Sequence, residues 1–119
     1  MKVPAFIIVT LACCLVGCST LPTAGEHRAQ LQAKLSTVVI EDGISQSEAD
    51  IIAENYYFRF TQTACGSVLR VTEEDSIWIA RTYYGPAAMP TREPIRIDKR
   101  SGRVTWSDGP TMSNPKMIW

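Results

Sequence analysis

The chain has 119 residues, with twelve basic and twelve acidic side chains, one histidine and four cysteines. That length is enough for one small domain and not for two. The charges balance, and nothing suggests a nucleic-acid partner, which would call for a clustered basic face.

The first eighteen residues form a unit of their own. Lys2 precedes an apolar run from Val3 to Val16, and the stretch closes on Leu15-Val16-Gly17-Cys18. The run is too short for a comfortable bilayer span, which takes roughly 20 residues, and Pro4 and Thr10 interrupt it. A charged start, an apolar middle and a small residue before a cysteine resemble a bacterial lipoprotein signal peptide, with residues 15–18 as its lipobox. The resemblance implies cleavage before Cys18 by signal peptidase II. It also implies a diacylglyceryl group on the Cys18 sulfur and an acyl chain, such as palmitate, on the new amino terminus. Each buried methylene contributes about 0.8 kcal/mol, and a stable anchor takes about two chains, which this modification exceeds. Ser19, where lipoproteins kept in the inner membrane often carry Asp, implies the periplasmic face of an outer membrane in a Gram-negative cell. The alternatives are an uncleaved transmembrane helix or an ordinary cleaved signal.

Removing residues 1–17 leaves 102 residues with eleven basic and twelve acidic side chains. Cys13 and Cys14 leave with the signal and lipid consumes Cys18. Cys65 is then the one thiol of the mature chain, and an intramolecular disulfide is impossible.

Residues 18–43 read as the lipidated cysteine and its tether. Thr23 and Glu26 fit a capping box, and Leu31, Leu35, Val38 and Val39 recur at near-helical spacing, so a helix over 25–37 stands beside a flexible spacer as the reading. Glu41-Asp42-Gly43 reads as a turn. A second capping box, Ser45 with Glu48, then opens a helix over 46–60. Ala49, Ile52, Ala53, Tyr56 and Phe60 line one face of it, with acids early and Arg59 late, as the helix dipole favours.

Beyond Gly66 the period becomes strand-like. The pattern predicts strands over 67–71, 76–84, 94–98 and 103–107. Thr72-Glu73-Glu74-Asp75 is the expected turn between the first two, and residues 86–93 are a loop in which Pro86 and Pro90 speak against central-strand pairing. Ile95 and Ile97 share one face, as do Val104 and Trp106, while Arg96, Arg103 and Thr105 face out. Gly102 supplies the positive φ that the turn before the last strand needs. Residues 108–119, with Pro110 and Pro115, read as an irregular tail. Helices followed by an antiparallel meander of about four strands give an α+β fold, a helix or helices packed on a curled sheet, with residues 44–107 as the domain.

The helix opening Ile44-Ser45-Gln46-Ser47-Glu48-Ala49 and the hairpin Ile95-Arg96-Ile97-Asp98-Lys99-Arg100-Ser101-Gly102-Arg103-Val104 resemble PepSY-type domains. They are also similar to small cystatin-like immunity proteins of the nuclear-transport-factor-like class. The resemblance covers residues 44–107, transfers no catalytic residue, and implies binding or inhibition of a partner.

A reaction finds few candidates. His27 lies near the lipidated cysteine, where a nucleophile–base site would need it folded back against the body, so the expectation is an exposed residue. No His/Cys set has zinc spacing, and no glycine-rich phosphate loop occurs. Glu73-Glu74-Asp75 lacks the alternation of a calcium loop and reads as a solvated turn. Cys65 reads as a small buried side chain before a redox thiol. No catalytic residue, metal or cofactor is therefore expected. The aromatic residues outnumber what one core face buries. Tyr57, Phe58, Arg81, Tyr83, Tyr84 and Arg92 are the candidate partner-binding residues, since Tyr and Arg concentrate at interfaces. Two functions remain open: a lipid-anchored envelope protein that binds or inhibits a protein partner, in the manner of an immunity protein, or an assembly accessory of the envelope or a secretion machine.

Overall fold

A computed structural model describes residues 23–61, 68–84, 89–90 and 93–119, with Tyr84, Met89 and Pro90 described by their backbone alone. The signal sequence, Cys18, Cys65 and Arg92 lie outside the described residues. Helix α1 spans Ala24–Ser36 and α2 spans Gln46–Phe60. Five strands follow: β1 Val68–Glu74, β2 Ile77–Tyr84, β3 Met89–Pro90, β4 Ile95–Asp98 and β5 Val104–Thr105. A single 3-10 turn, Pro115–Met117, lies near the end. The architecture is α+β, two helices packed on an open antiparallel sheet in the order β1-β2-β4-β5, with the two-residue β3 continuing the β4 side of β2. No described helix is long and apolar enough to cross a membrane.

Both helices start where their local chemistry dictates. The Thr23 hydroxyl accepts from the Glu26 N–H at 3.2 Å, and the Glu26 carboxylate accepts from the Thr23 N–H at 3.4 Å. Ser45 and Glu48 repeat this reciprocal arrangement at α2, so each box satisfies two orphan N–H groups. The other carboxylate oxygen of Glu48 accepts from the Val39 N–H at 2.8 Å, which ties the α1–α2 connection to the first turn of α2. These three backbone and hydroxyl contacts hold the Glu48 carboxyl below the usual carboxylate range, the Val39 bond first among them.

The helix layer covers one face of the sheet. Ala49, Ile52, Ala53 and Tyr56 of α2 are fully buried against Trp78 and Ala80 of β2, Ile95 and Ile97 of β4 and Val104 of β5. Trp78 Nε1 donates to the Ile44 carbonyl at 2.8 Å, which fixes the entry to α2 over the sheet. Leu31, Leu35 and Val38, from residues read as tether or helix, are also buried, so α1 contributes to the same helix layer.

The structure departs from the sequence reading in the strands and the tail; β5 is only Val104–Thr105, shorter than the expected 103–107. The β1–β2 turn is not residues 72–75: Thr72, Glu73 and Glu74 continue β1, and only Asp75 and Ser76 turn, with Asp75 at φ 51°. β1 pairs with β2 alone, so these polar side chains reach water and need no turn to escape burial. Met89–Pro90 is not loop but pairs with Tyr83–Tyr84, and the sheet tolerates Pro90 because the strand is a two-residue flanking piece. The tail is ordered by its contacts. Met112 bridges Val104, Ile118 is buried, Tyr56 Oη donates to the Pro110 carbonyl at 2.6 Å, and Trp119 Nε1 donates to Asn55 Oδ1 at 2.8 Å. Asn55 is fully buried and its Nδ2 donates to the Ile51 carbonyl at 2.9 Å, so both ends of its amide are satisfied.

The β4–β5 turn is as the sequence predicts. Asp98 Oδ1 accepts from the Arg100 and Ser101 N–H groups and from the Ser101 hydroxyl, which holds its carboxyl below the usual range. Gly102 has φ +74°, and a Cβ there would stand 3.0 Å from Pro115 and 3.3 Å from Ile44.

Candidate partner-binding surface

Side chains alternate along a strand. On β2 this sends Trp78, Ala80 and Thr82 under the helices and Ile77, Ile79, Arg81 and Tyr83 to the opposite, outer face. The register then assigns the neighbours. Arg81 stands directly opposite Arg70, and Tyr83 opposite Val68. Ile79 lies between Thr72 of β1 and Arg96 of β4, and Arg96 pairs with Thr105 of β5. The Asp98 N–H donates to the Arg103 carbonyl at 2.9 Å, which puts Arg103 on this face beside Asp98. Arg70, Arg81, Arg96 and Arg103 thus run diagonally over four strands, a distance of roughly 15 Å across the sheet at about 4.8 Å per strand.

Arg70, Arg96 and Arg103 are exposed and Arg81 is half-buried. Among the described residues none of the four forms an ion pair; the pairs formed are Lys99–Glu73 and the long Lys34–Glu54 contact. The Arg70 guanidinium carbon lies 5.2 Å from the centre of the Tyr83 ring, a cation–π arrangement. Ile79 is 6% exposed amid these polar chains, a small apolar centre with a charged rim.

A second feature lies on the helix side. A cleft of about 470 Å³ runs between α1, α2 and the start of β1, with His27, Glu54, Phe58, Val68, Leu69 and Thr82 among its walls. His27 is exposed, as its position predicts, yet its ring meets that of Phe58 edge-on at 5.0 Å. Phe58 also lies 5.9 Å from Trp119, and the Arg28 guanidinium carbon lies 4.6 Å from the centre of the Trp119 ring. Among the described residues no group of three His, Cys, Asp or Glu side chains is placed to hold a metal ion.

The six candidate residues divide among these environments. Arg81 and Tyr83 lie on the outer sheet face, and Phe58 lies half-buried at the cleft. Tyr57 is a core residue: it is 4% exposed, its hydroxyl donates to the Ala80 carbonyl at 3.3 Å, and its ring stands edge-on to Trp106. Tyr57 is buried as well as Tyr56 because its ring packs toward the sheet, against Trp106 and the β2 backbone at Ala80. Burial and the neighbouring Tyr57 push the Tyr56 hydroxyl up to about 12. Tyr84 ends β2 opposite Met89, with its side chain outside the described residues, as is Arg92. Arg70, Arg96 and Arg103 were missing from the six. The period-2 alternation of Val68-Leu69-Arg70-Val71-Thr72 contains the signal for Arg70, but only the β1–β2 register places it beside Arg81.

Compared with protein-family models, curated proteins and solved structures, the chain matches none.

Proposed function

We propose that this is a lipid-anchored envelope protein that binds a protein partner, in an inhibitory or immunity-type role, through the outer face of its sheet. The observation that carries the reading is that face: Arg70, Arg81 and Arg96 surround the buried Ile79, and their side chains and that of Tyr83 stay exposed or half-exposed there. Interface hot spots draw on Tyr and Arg around an apolar centre. Support for the anchor comes from Leu15-Val16-Gly17-Cys18 and the apolar run before it. The action is one of binding and not of catalysis, and it takes no metal or cofactor.

The test has two parts. Cys18→Ser leaves an unprocessed precursor that takes up no fatty-acid label; labelling at the wild-type level would refute the anchor. A photo-crosslinking residue in place of Tyr83, in the full chain within its native envelope, gives one dominant protein adduct, and the same residue at Glu41 on the α1–α2 connection gives none. Adducts of equal abundance at both positions would remove the outer face as the binding surface.

A further inference from the structure

Resting on that protein-binding reading, we infer that the partner meets the arginine diagonal with an acidic protein surface. Arg70 and Arg81 are directly opposed across two strands, an arrangement that like charges destabilise. Among the described residues neither forms an ion pair with an acid. Half of the chain's twelve acids, Glu26, Glu41, Asp42, Glu48, Asp50 and Glu54, belong to the helix layer and its connections, and the outer face carries Glu74 and Asp98 only at its turn end. The outer face therefore carries four arginines against two acids, a surplus that an acidic partner surface would complement.

Three chemistries would supply it, and two fit poorly. A second copy using the same face about a two-fold axis would bring only Glu74 and Asp98 to meet four arginines. An anionic bilayer is uniformly negative, whereas Glu74 and Asp98 share the outer face at the turn end of the sheet and would be pressed against it. An acidic protein surface satisfies both ends, because its carboxylates can be confined to the diagonal. Guanidinium groups suit that role, since their planar donors grip carboxylates in pairs. The half-buried Tyr83 and Ile77 side chains supply the apolar contact that a protein surface returns and a headgroup layer does not.

The experiment uses the full chain in uncharged detergent micelles, titrated calorimetrically with poly-L-glutamate at low salt, then challenged with phosphatidylglycerol micelles. Arg81→Ala with Arg96→Ala raises the Kd for poly-L-glutamate at least tenfold. Arg28→Ala with Arg59→Ala, the same charge removed from the helix layer, changes it less than twofold. Arg81→Lys with Arg96→Lys keeps the charge, and circular dichroism verifies the fold of each variant. Equal losses in the two alanine pairs, or no binding by the wild type, overturn the inference. So does displacement by phosphatidylglycerol with the same arginine dependence, which would make the face a headgroup site. Repeating the Tyr83 crosslink in the Arg81→Glu, Arg96→Glu chain separates the two claims. An undiminished adduct defeats the acidic partner and leaves protein binding standing, while no adduct even in the wild type defeats protein binding itself.

Discussion

The two faces of one sheet follow different rules. Under the helices, Trp78, Ala80, Ile95, Ile97 and Val104 are all buried, and each is accounted for by the apolar area it removes from water. On the other face of the same strands stand Arg70, Arg81, Arg96 and Arg103, which the core does not require. The only strongly buried outer residue is Ile79 among those the register places there. The lesson lies in β2, where eight consecutive residues serve both faces in alternation. A change at Trp78 or Ala80 tests the fold, and a change at Arg81 or Tyr83 tests the proposed binding surface.

The comparison breaks most visibly through the inner face. Tyr56 is fully buried, packs edge-on to Trp106 at 6.0 Å and donates to the tail carbonyl of Pro110. Tyr56→Ala should cost about 3–5 kcal/mol, from lost area and the cavity left behind, with the tail released at the same time. Urea denaturation measures the loss; a cost under about 1 kcal/mol would mean that the helix layer does not seal the sheet as described.

Next in size is the turn that ties the sheet to the tail. Gly102 combines a positive φ with close neighbours on two sides, Pro115 and Ile44. Gly102→Val should destabilise by about 2 kcal/mol, since a β-branched residue is strained there and must also push Pro115 aside. Gly102→Ala should cost less. An unchanged melting temperature for the valine variant would rule out the described turn.

A smaller effect distinguishes the carboxylates that serve the backbone from one that is merely covered. Glu48 and Asp98 have folded pKa values below their ordinary ones, because N–H groups stabilise the carboxylate. Their contribution is present above the unfolded pKa and is lost as pH falls through the folded value. Asp50 runs the other way: burial raises its pKa, so protonation on folding offsets part of that loss. Stability should therefore decline as pH drops below the ordinary carboxylate range. Denaturation midpoints taken across that range should show a shallower decline for Glu48→Gln and a steeper one for Asp50→Asn. Identical slopes in all three proteins would remove these carboxylates as the source.

Legibility in the sequence tracks the range over which each signal acts. α2 is readable to its last residue, because the Ser45–Glu48 box and the i, i+3, i+4 apolar spacing are local. The Gly102 turn is readable for the same reason. The end of β1 is not, because Thr72-Glu73-Glu74 has turn-like composition and becomes strand only through pairing with Trp78 and its neighbours. Nor is the order of the tail, which depends on Trp119 reaching Asn55 across 64 positions. The site shows the same division. Arg81 and Tyr83 are identifiable because their strand holds more aromatic residues than one face can bury, whereas Arg70 joins them only by register, and Tyr57 leaves the set because it packs on Trp106 and bonds the Ala80 carbonyl.

The smallest expected effect on stability is the one that sharpens the contrast most. Arg81 is half-buried, opposes Arg70, and pairs with no acid among the described residues. Arg81→Thr places a good strand former at the position and removes a like-charge opposition that costs some tenths of a kcal/mol. Stability should change by less than about 0.5 kcal/mol, with a gain more in keeping with the geometry than a loss. The gain should shrink as salt rises, because screening already weakens the Arg70–Arg81 repulsion in the parent chain. Urea midpoints at two ionic strengths read both quantities. A loss above about 1 kcal/mol would mean that the Arg81 stem supports Ile79 and the sheet itself. In that case the outer face would belong to the fold as much as the inner one does, and the division between the two faces of β2 would no longer hold.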